Sequence, residues 1–127
     1  MRRVENRSEL DGWDSVAFGM ALDMDRGRWV LRLSGDADAS VATAIDKALR
    51  DAVLYADDGR DLDVELADVT YLDGHVVGVL LGISAELRAQ GRAFAMVAPS
   101  ALAARLLGIL GLDRLLDIRS DEQGQRA

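Results

Sequence analysis

The sequence predicts a single α/β domain built on one mixed β-sheet, and three observations carry that reading. Apolar residues alternate in two neighbouring segments near the start, on either side of the turn-forming "DMDRGR". Three later segments repeat apolar residues at helical spacing, and short alternating or wholly apolar runs fall between them. The implied order is ββαβαβα(β). Strands alternating with helices in this way need right-handed crossovers, which pack the helices on a largely parallel sheet with the opening hairpin at one end.

In the hairpin, Val16, Phe18, Met20 and Leu22 alternate before the turn, and Trp29, Leu31 and Leu33 alternate after it. From Ala39 to about Ala56, Val41, Ile45, Ala48 and Ala52 recur at helical spacing, flanked by Ala44, Leu49 and Val53, with Asp38 or Ser40 available as N-cap. Leu62, Val64 and Leu66 alternate with Asp63 and Glu65 and make a short strand. The second helix carries the stripe Val76, Leu80, Ile83, Leu87 and closes at Gly91. "AFAMVA" is a buried strand. Ser100 caps a third helix bearing Leu102, Leu106 and Ile109, Gly111 ends it, and "LDRLLDI" offers a last short strand.

At 127 residues with half of them hydrophobic, the chain is long enough to bury roughly two thirds of its unfolded surface in one core. There is one proline, Pro99, no repeat and no low-complexity linker, so the domain is expected over 15–118, with a mobile segment at 1–14 and a polar tail at 119–127. The absence of cysteine excludes disulfides, thiolate nucleophiles and cysteine-based metal sites. The start "MRRVENRSELDGWDS" is polar and charged, and no apolar run approaches the roughly 20 residues of a membrane span. A cytoplasmic protein with no membrane insertion is therefore expected. With 22 acidic and 15 basic residues the net charge is -7, which repels phosphate backbones and argues against nucleic acid as a partner.

Residues that could carry chemistry are few. Gly74, Gly78 and Gly82 recur every fourth position inside a helix, so they share one face instead of wrapping a phosphate, and close helix packing is the expected reason for them. His75 is the only histidine. Beside Asp73 it suggests acid–base work or a metal, but it lacks a second imidazole and a nucleophile, so no enzyme, metal or cofactor is expected. Asp73 stands where a helix begins, and an acid there caps the first N–H groups for about 1 kcal/mol. The acids of "YADDGRDLDVELAD" read as a solvated loop and the outer face of a strand, and Trp13 and Trp29 as packing residues.

Four segments together resemble the STAS domain family of anti-sigma factor antagonists. The family's hallmark is a strand, a turn "D-S-S-G-L" or "D-S-T-G-L", and a helix beginning "G-V-L". Here that segment runs from Asp68 through Asp73, Gly74, His75 and Val76 to Leu81. "LSGDADAS", Leu33 to Ser40, is similar to the family's "G-E-L-D" lead into its first helix. "GRAFAMVAPS" is similar to its "G-G-x-L-x-L-V-x-x-S" strand, and "LLGILGLDRLLDI" to its closing "L-x-x-x-G-L-x-x-x-x-x-I". The resemblance covers about residues 16 to 118.

The resemblance implies a module that docks on an anti-sigma factor, a serine kinase of the Bergerat ATPase fold, and so regulates sigma factor availability. The implied partner-binding patch is Asp36, Asp38 and Ser40 with Asp73, Gly74, His75 and Val76. In the family the second hydroxyl residue of the turn accepts a phosphate from the kinase. That position is His75, with Gly74 in place of the first serine and Val76 in place of the glycine, so the ordinary serine switch is expected to be lost or moved to Thr70 or Ser40. Two other readings stay open: a STAS scaffold subunit of a transporter or signalling assembly, and a small-ligand sensor. A homodimer is compatible with each.

Overall fold

Arg26 and Gly27 take φ values of 53° and 80°, and this pair of left-handed residues is what a two-residue hairpin turn needs if the strands on either side are to keep their twist. The turn joins β1 (Gly19–Asp25) to β2 (Arg28–Ala37) in antiparallel register, with Met24 opposite Trp29 and Leu22 opposite Leu31. The structure, a computed structural model, describes residues 17–56, 58–97, 100–109, 111 and 117–119, and for Leu102 and Leu106 the backbone alone. Val16, the segments 1–14 and 120–127 and most of "LDRLLDI" lie outside the described residues.

Three parallel pairings extend the sheet. β3 (Leu62–Leu72) lies beside β2, β4 (Phe94–Val97) beside β3, and β5 (Asp117–Arg119) beside β4, so the five strands stand in the order β1-β2-β3-β4-β5. The mixed sheet with its opening hairpin agrees with the sequence. β3, however, is not short. It runs on from Leu66 to Leu72, where two register shifts against β2, between Arg32 and Ser34 and between Gly35 and Asp36, break the strict alternation. Its inward residues change from Leu62, Val64, Leu66 to Leu66, Val69, Leu72, a spacing of three that hides the strand from a search for period two.

The first helical segment opens as a 3-10 turn, Ala39–Val41, continues as α1 (Ala42–Ala48) and loosens into a π-helical stretch, Leu49–Leu54. The buried face follows every fourth residue: Val41, Ile45, Leu49 and Val53 are buried, whereas Ala48 and Ala52 of the expected stripe are half-buried and Ala44 is exposed. α2 (Gly74–Ala89) buries Val76, Val77, Leu80, Ile83 and Leu87 and ends at Gly91 (φ 75°), with the Arg92 N–H donating to the Leu87 carbonyl at 2.9 Å. α3 (Ala101–Ile109) is capped as expected by Ser100, whose Oγ accepts from the Ala103 N–H at 3.1 Å. Its buried face carries Ala103 and Leu107, while Ile109 is exposed and not part of the stripe.

The core lies between the helices and one face of the sheet, where Leu31, Leu33, Val64, Leu66 and Met96 meet Ile45, Leu49, Leu80, Ile83 and Leu107. The other face carries ion pairs: Asp63 holds Arg28 at 3.0 Å and Arg119 at 2.6 Å, and Arg32 bridges Asp23 and Glu65 at 3.0 Å each. At the N-terminal end of β3, Arg92 is buried. It donates to the carbonyls of Arg60 and Val53 and to Gln90, and its Nη2 lies 3.1 Å from Asp58 Oδ1. Asp58 Oδ2 also accepts from the Trp29 indole at 3.1 Å, and Asp61 accepts from the Ala93 N–H at 2.8 Å. Two acids expected in a solvated loop are thus part of a latch between strand ends. Burial alone would raise the Asp58 carboxyl, but hydrogen bonds from the Arg60 N–H and Trp29 and the charges of Arg92 and Arg60 outweigh it and hold the group below its ordinary value.

Candidate functional site

β2 and β3 end side by side, and their ends build the site. The register sets Asp36 opposite Tyr71 and Ala37 opposite Leu72, and the Asp73 N–H donates to the Ala37 carbonyl at 2.9 Å, one step beyond the ladder. Three of the sequence-predicted acids, Asp36, Asp38 and Asp73, are thereby gathered at the C-terminal edge of the sheet. Ligand and partner sites of open parallel sheets favour this edge, because loops and helix starts converge there.

Each acid has a local task. Asp38, in extended backbone before the 3-10 turn, accepts from the Ser40 N–H at 3.0 Å and from the Ser40 hydroxyl at 2.5 Å, so the predicted N-cap is Asp38, with Ser40 as its donor. Asp36 accepts from the Thr70 hydroxyl at 2.6 Å across the two strands. Asp73 is the N-cap of α2: its Oδ1 accepts from the His75 N–H at 2.7 Å and stands 2.9 Å from His75 Nδ1, and the Tyr71 hydroxyl reaches its Oδ2 at 3.4 Å. The hydrogen bond from the His75 N–H, followed by that from the ring, holds the Asp73 carboxyl below its ordinary range. The negative charge of Asp73, with those of Asp38 and Asp36 farther off, raises the Tyr71 phenol.

His75 lies at the surface, its side chain 78% exposed. With Asp73, Gly74, Gly78 and Val79 it lines a shallow open concavity on α2. Among the described residues a Cβ built at Gly74, Gly78 or Gly82 would meet nothing within 4 Å, so these glycines do not serve close packing against any described helix. They leave bare backbone on the outer face. Val76 is fully buried, because the residue three places after the cap turns into the core. It holds the helix against the sheet, so its side chain is not at the surface where the implied patch would need it. Tyr71, Gly78 and Val79 belong to the site although the sequence did not single them out for it. Their one available signal was the four-residue spacing of Gly78 from Gly74. Among the described residues no group of three or more His, Cys, Asp or Glu side chains could hold a metal ion, and no helix is long and apolar enough to cross a membrane.

Comparison with known proteins agrees with this geometry. Residues 20–117 match the family model described as "Mlab, STAS domain". The anti-sigma-B factor antagonist of Bacillus subtilis (strain 168) is 30% identical over 94 residues, covering 74% of this chain and 84% of that one. Among solved structures, an anti-sigma factor antagonist from Mycobacterium paratuberculosis superposes with a TM-score of 0.70 at 22% identity, over 80% of this chain and 85% of its own. The Bacillus cell fate determinant SpoIIAA, in its phosphorylated form, does so with a TM-score of 0.65 at 22% identity, over 85% and 97%. A chain whose mixed sheet, capped turn and following helix carry that match over residues 20–117 is a member of the STAS domain family.

Proposed function

We propose that this chain is an anti-sigma factor antagonist: a cytoplasmic docking module, with no catalysis of its own, that binds an anti-sigma factor of the Bergerat kinase fold and so governs the availability of a sigma factor. The patch in contact is the start of α2, Asp73, Gly74, His75, Gly78 and Val79, with Asp36 at the end of β2 and Asp38 and Ser40 just beyond it. One observation carries the reading. The turn where the family resemblance places the partner-facing residues is built as an exposed concavity floored by glycine backbone and rimmed by the Asp73–His75 pair. Bare backbone lets a partner approach closely, and a rim of rigidly bonded polar groups supplies register. The 30% identical relative, named as an anti-sigma-B factor antagonist, supports the same assignment.

The test is capture from the native cytoplasm with the full chain as bait. Wild type is expected to retain an ATPase-fold serine kinase, and His75→Glu is expected to lose it. Retention of a membrane transporter instead, or of the same protein by both baits, would overturn the assignment or its surface respectively.

A further inference from the structure

We propose that His75 is a phosphoryl acceptor: the Asp73 carboxylate holds the ring by Nδ1, and the exposed Nε2 takes a phosphoryl group in an N–P linkage. Asp73 Oδ1 lies 2.9 Å from Nδ1. An ionised carboxylate only accepts hydrogen bonds, so the hydrogen of that contact belongs to Nδ1, and in the neutral ring the lone pair is left on Nε2. The carboxylate is itself anchored, because the same oxygen receives the His75 backbone N–H at 2.7 Å. Ring and acid are thus fixed to one another at the surface, with the side chain 78% exposed and open space beside Gly74 and Gly78 where an added group fits. The site also stands at the start of the 16-residue α2, where the helix favours negative charge.

The reaction balances without a further proton carrier. The Nε2 lone pair forms the bond to phosphorus, the bond from phosphorus to the donor's leaving atom breaks, and the positive charge left on the ring is paired with Asp73 through Nδ1–H. With phosphoramidate as donor, the bond broken is P–N and the leaving group is ammonia. With a nucleoside triphosphate, the γ-phosphorus separates from its bridging oxygen and the nucleoside diphosphate leaves. That second donor rests on the docking reading, since a kinase partner must bring it. Asp36 and Asp38 oppose an incoming anion, but they are bonded to Thr70 and Ser40 and do not alter which nitrogen is exposed. Salt screens their charge.

The experiment treats the full chain with inorganic phosphoramidate at moderate ionic strength, with no partner present. A phosphate that survives alkali and is lost in acid is an N–P linkage, and its absence from His75→Gln assigns it to the only histidine and not to Lys47. Nuclear magnetic resonance coupling between phosphorus and the ring protons then identifies the nitrogen. Wild type is expected to take phosphate on Nε2, and His75→Gln none. Asp73→Asn keeps an oxygen for the cap but removes the charge, and it is expected to react at least about tenfold more slowly. Phosphate on Nδ1, no phosphate in wild type, or equal rates in wild type and Asp73→Asn would each overturn the proposal. The isomer is read in wild type, so this readout stands even if a variant folds poorly. A chain that fails to label but captures an anti-sigma factor refutes the acceptor and leaves docking intact. One that labels on Nε2 and captures nothing supports the acceptor and removes docking.

Discussion

The backbone N–H of Asp73 donates to the carbonyl of Ala37 at 2.9 Å, and this one bond ties the loop after β2 to the first turn of α2. On either side of it lie the acids of the site, Asp38 one residue beyond Ala37 and Asp73 itself. Two loops that a sequence shows as thirty-odd residues apart therefore form one rigid surface, and changes in either are felt on the same face.

Charge placed on that face should break docking without breaking the fold. His75→Glu adds a negative group beside Asp73 at a helix start that tolerates anions, so circular dichroism should be unchanged. Affinity for the captured anti-sigma factor should fall by about tenfold or more, about 1.4 kcal/mol, in calorimetric titration. His75→Ala, which removes contacts but adds no repulsion, should lose less.

The ordinary phosphoester should return when the hydroxyl does. With the captured kinase and ATP, His75→Ser is expected to gain acid-stable phosphate at position 75, and wild type none there. Thr70 and Ser40 donate their hydroxyls to Asp36 and Asp38, so neither is expected to take over. Acid-stable phosphate mapped to either in the wild type would count against this.

Gly78→Ala should stabilise the isolated protein. Its Cβ would enter open space, and alanine in a helix interior gains about 1 kcal/mol over glycine, a rise in Tm of roughly 4 °C by calorimetry. A fall in Tm would mean that the outer face of α2 is covered.

Acid should weaken the α2 cap in a known direction. The Asp73 carboxyl titrates below its ordinary value of 3.8 in the folded chain, so the unfolded chain binds the proton more readily. The stability it contributes is then present above 3.8 and is lost as the pH falls through the lower folded value. Denaturant melts between pH 5 and pH 2 should show a shallower acid loss for Asp73→Asn than for wild type, since the variant has no proton to take up.

Arg92→Met should cost much more than a surface arginine. It leaves Asp58 without its buried cation and removes the side-chain donor to the carbonyls of Val53 and Arg60. Because Asp58 keeps 28% of its side chain exposed, a loss of about 3 kcal/mol, the low end for breaking such a pair, is expected in urea melts.

Much of this molecule was legible wherever one local rule held without interruption. The hairpin shows in the sequence because period two runs unbroken up to "DRGR", and Asp73 shows because a carboxylate before an apolar helix has one obvious task. The second half of β3 does not, since the bulges put Ala67 and Asp68, then Thr70 and Tyr71, outward in pairs. Thr70 meets Asp36 and Arg92 meets Asp58 across 34 residues in each case, and contacts of that kind depend on register, which spacing along the chain does not encode. The glycines of α2 are visible in the sequence, but their spacing suggests packing that the described residues do not supply. Spacing places them on one face and cannot say whether that face is covered. Analogy with the family's turn places Val76 in the partner-facing patch, whereas the phase of the helix sends its side chain inward.

The strand order β1-β2-β3-β4-β5 repeats the order of synthesis. As the chain leaves the ribosome, every strand after the first finds its sheet neighbour already made, and no pairing waits for a segment still to come. Each closing loop spans at most one helix and its turns, so the entropy lost in each closure stays small and grows only slowly with loop length. The sheet can thus be laid down from the hairpin outward, with β5 as its last and most weakly held edge.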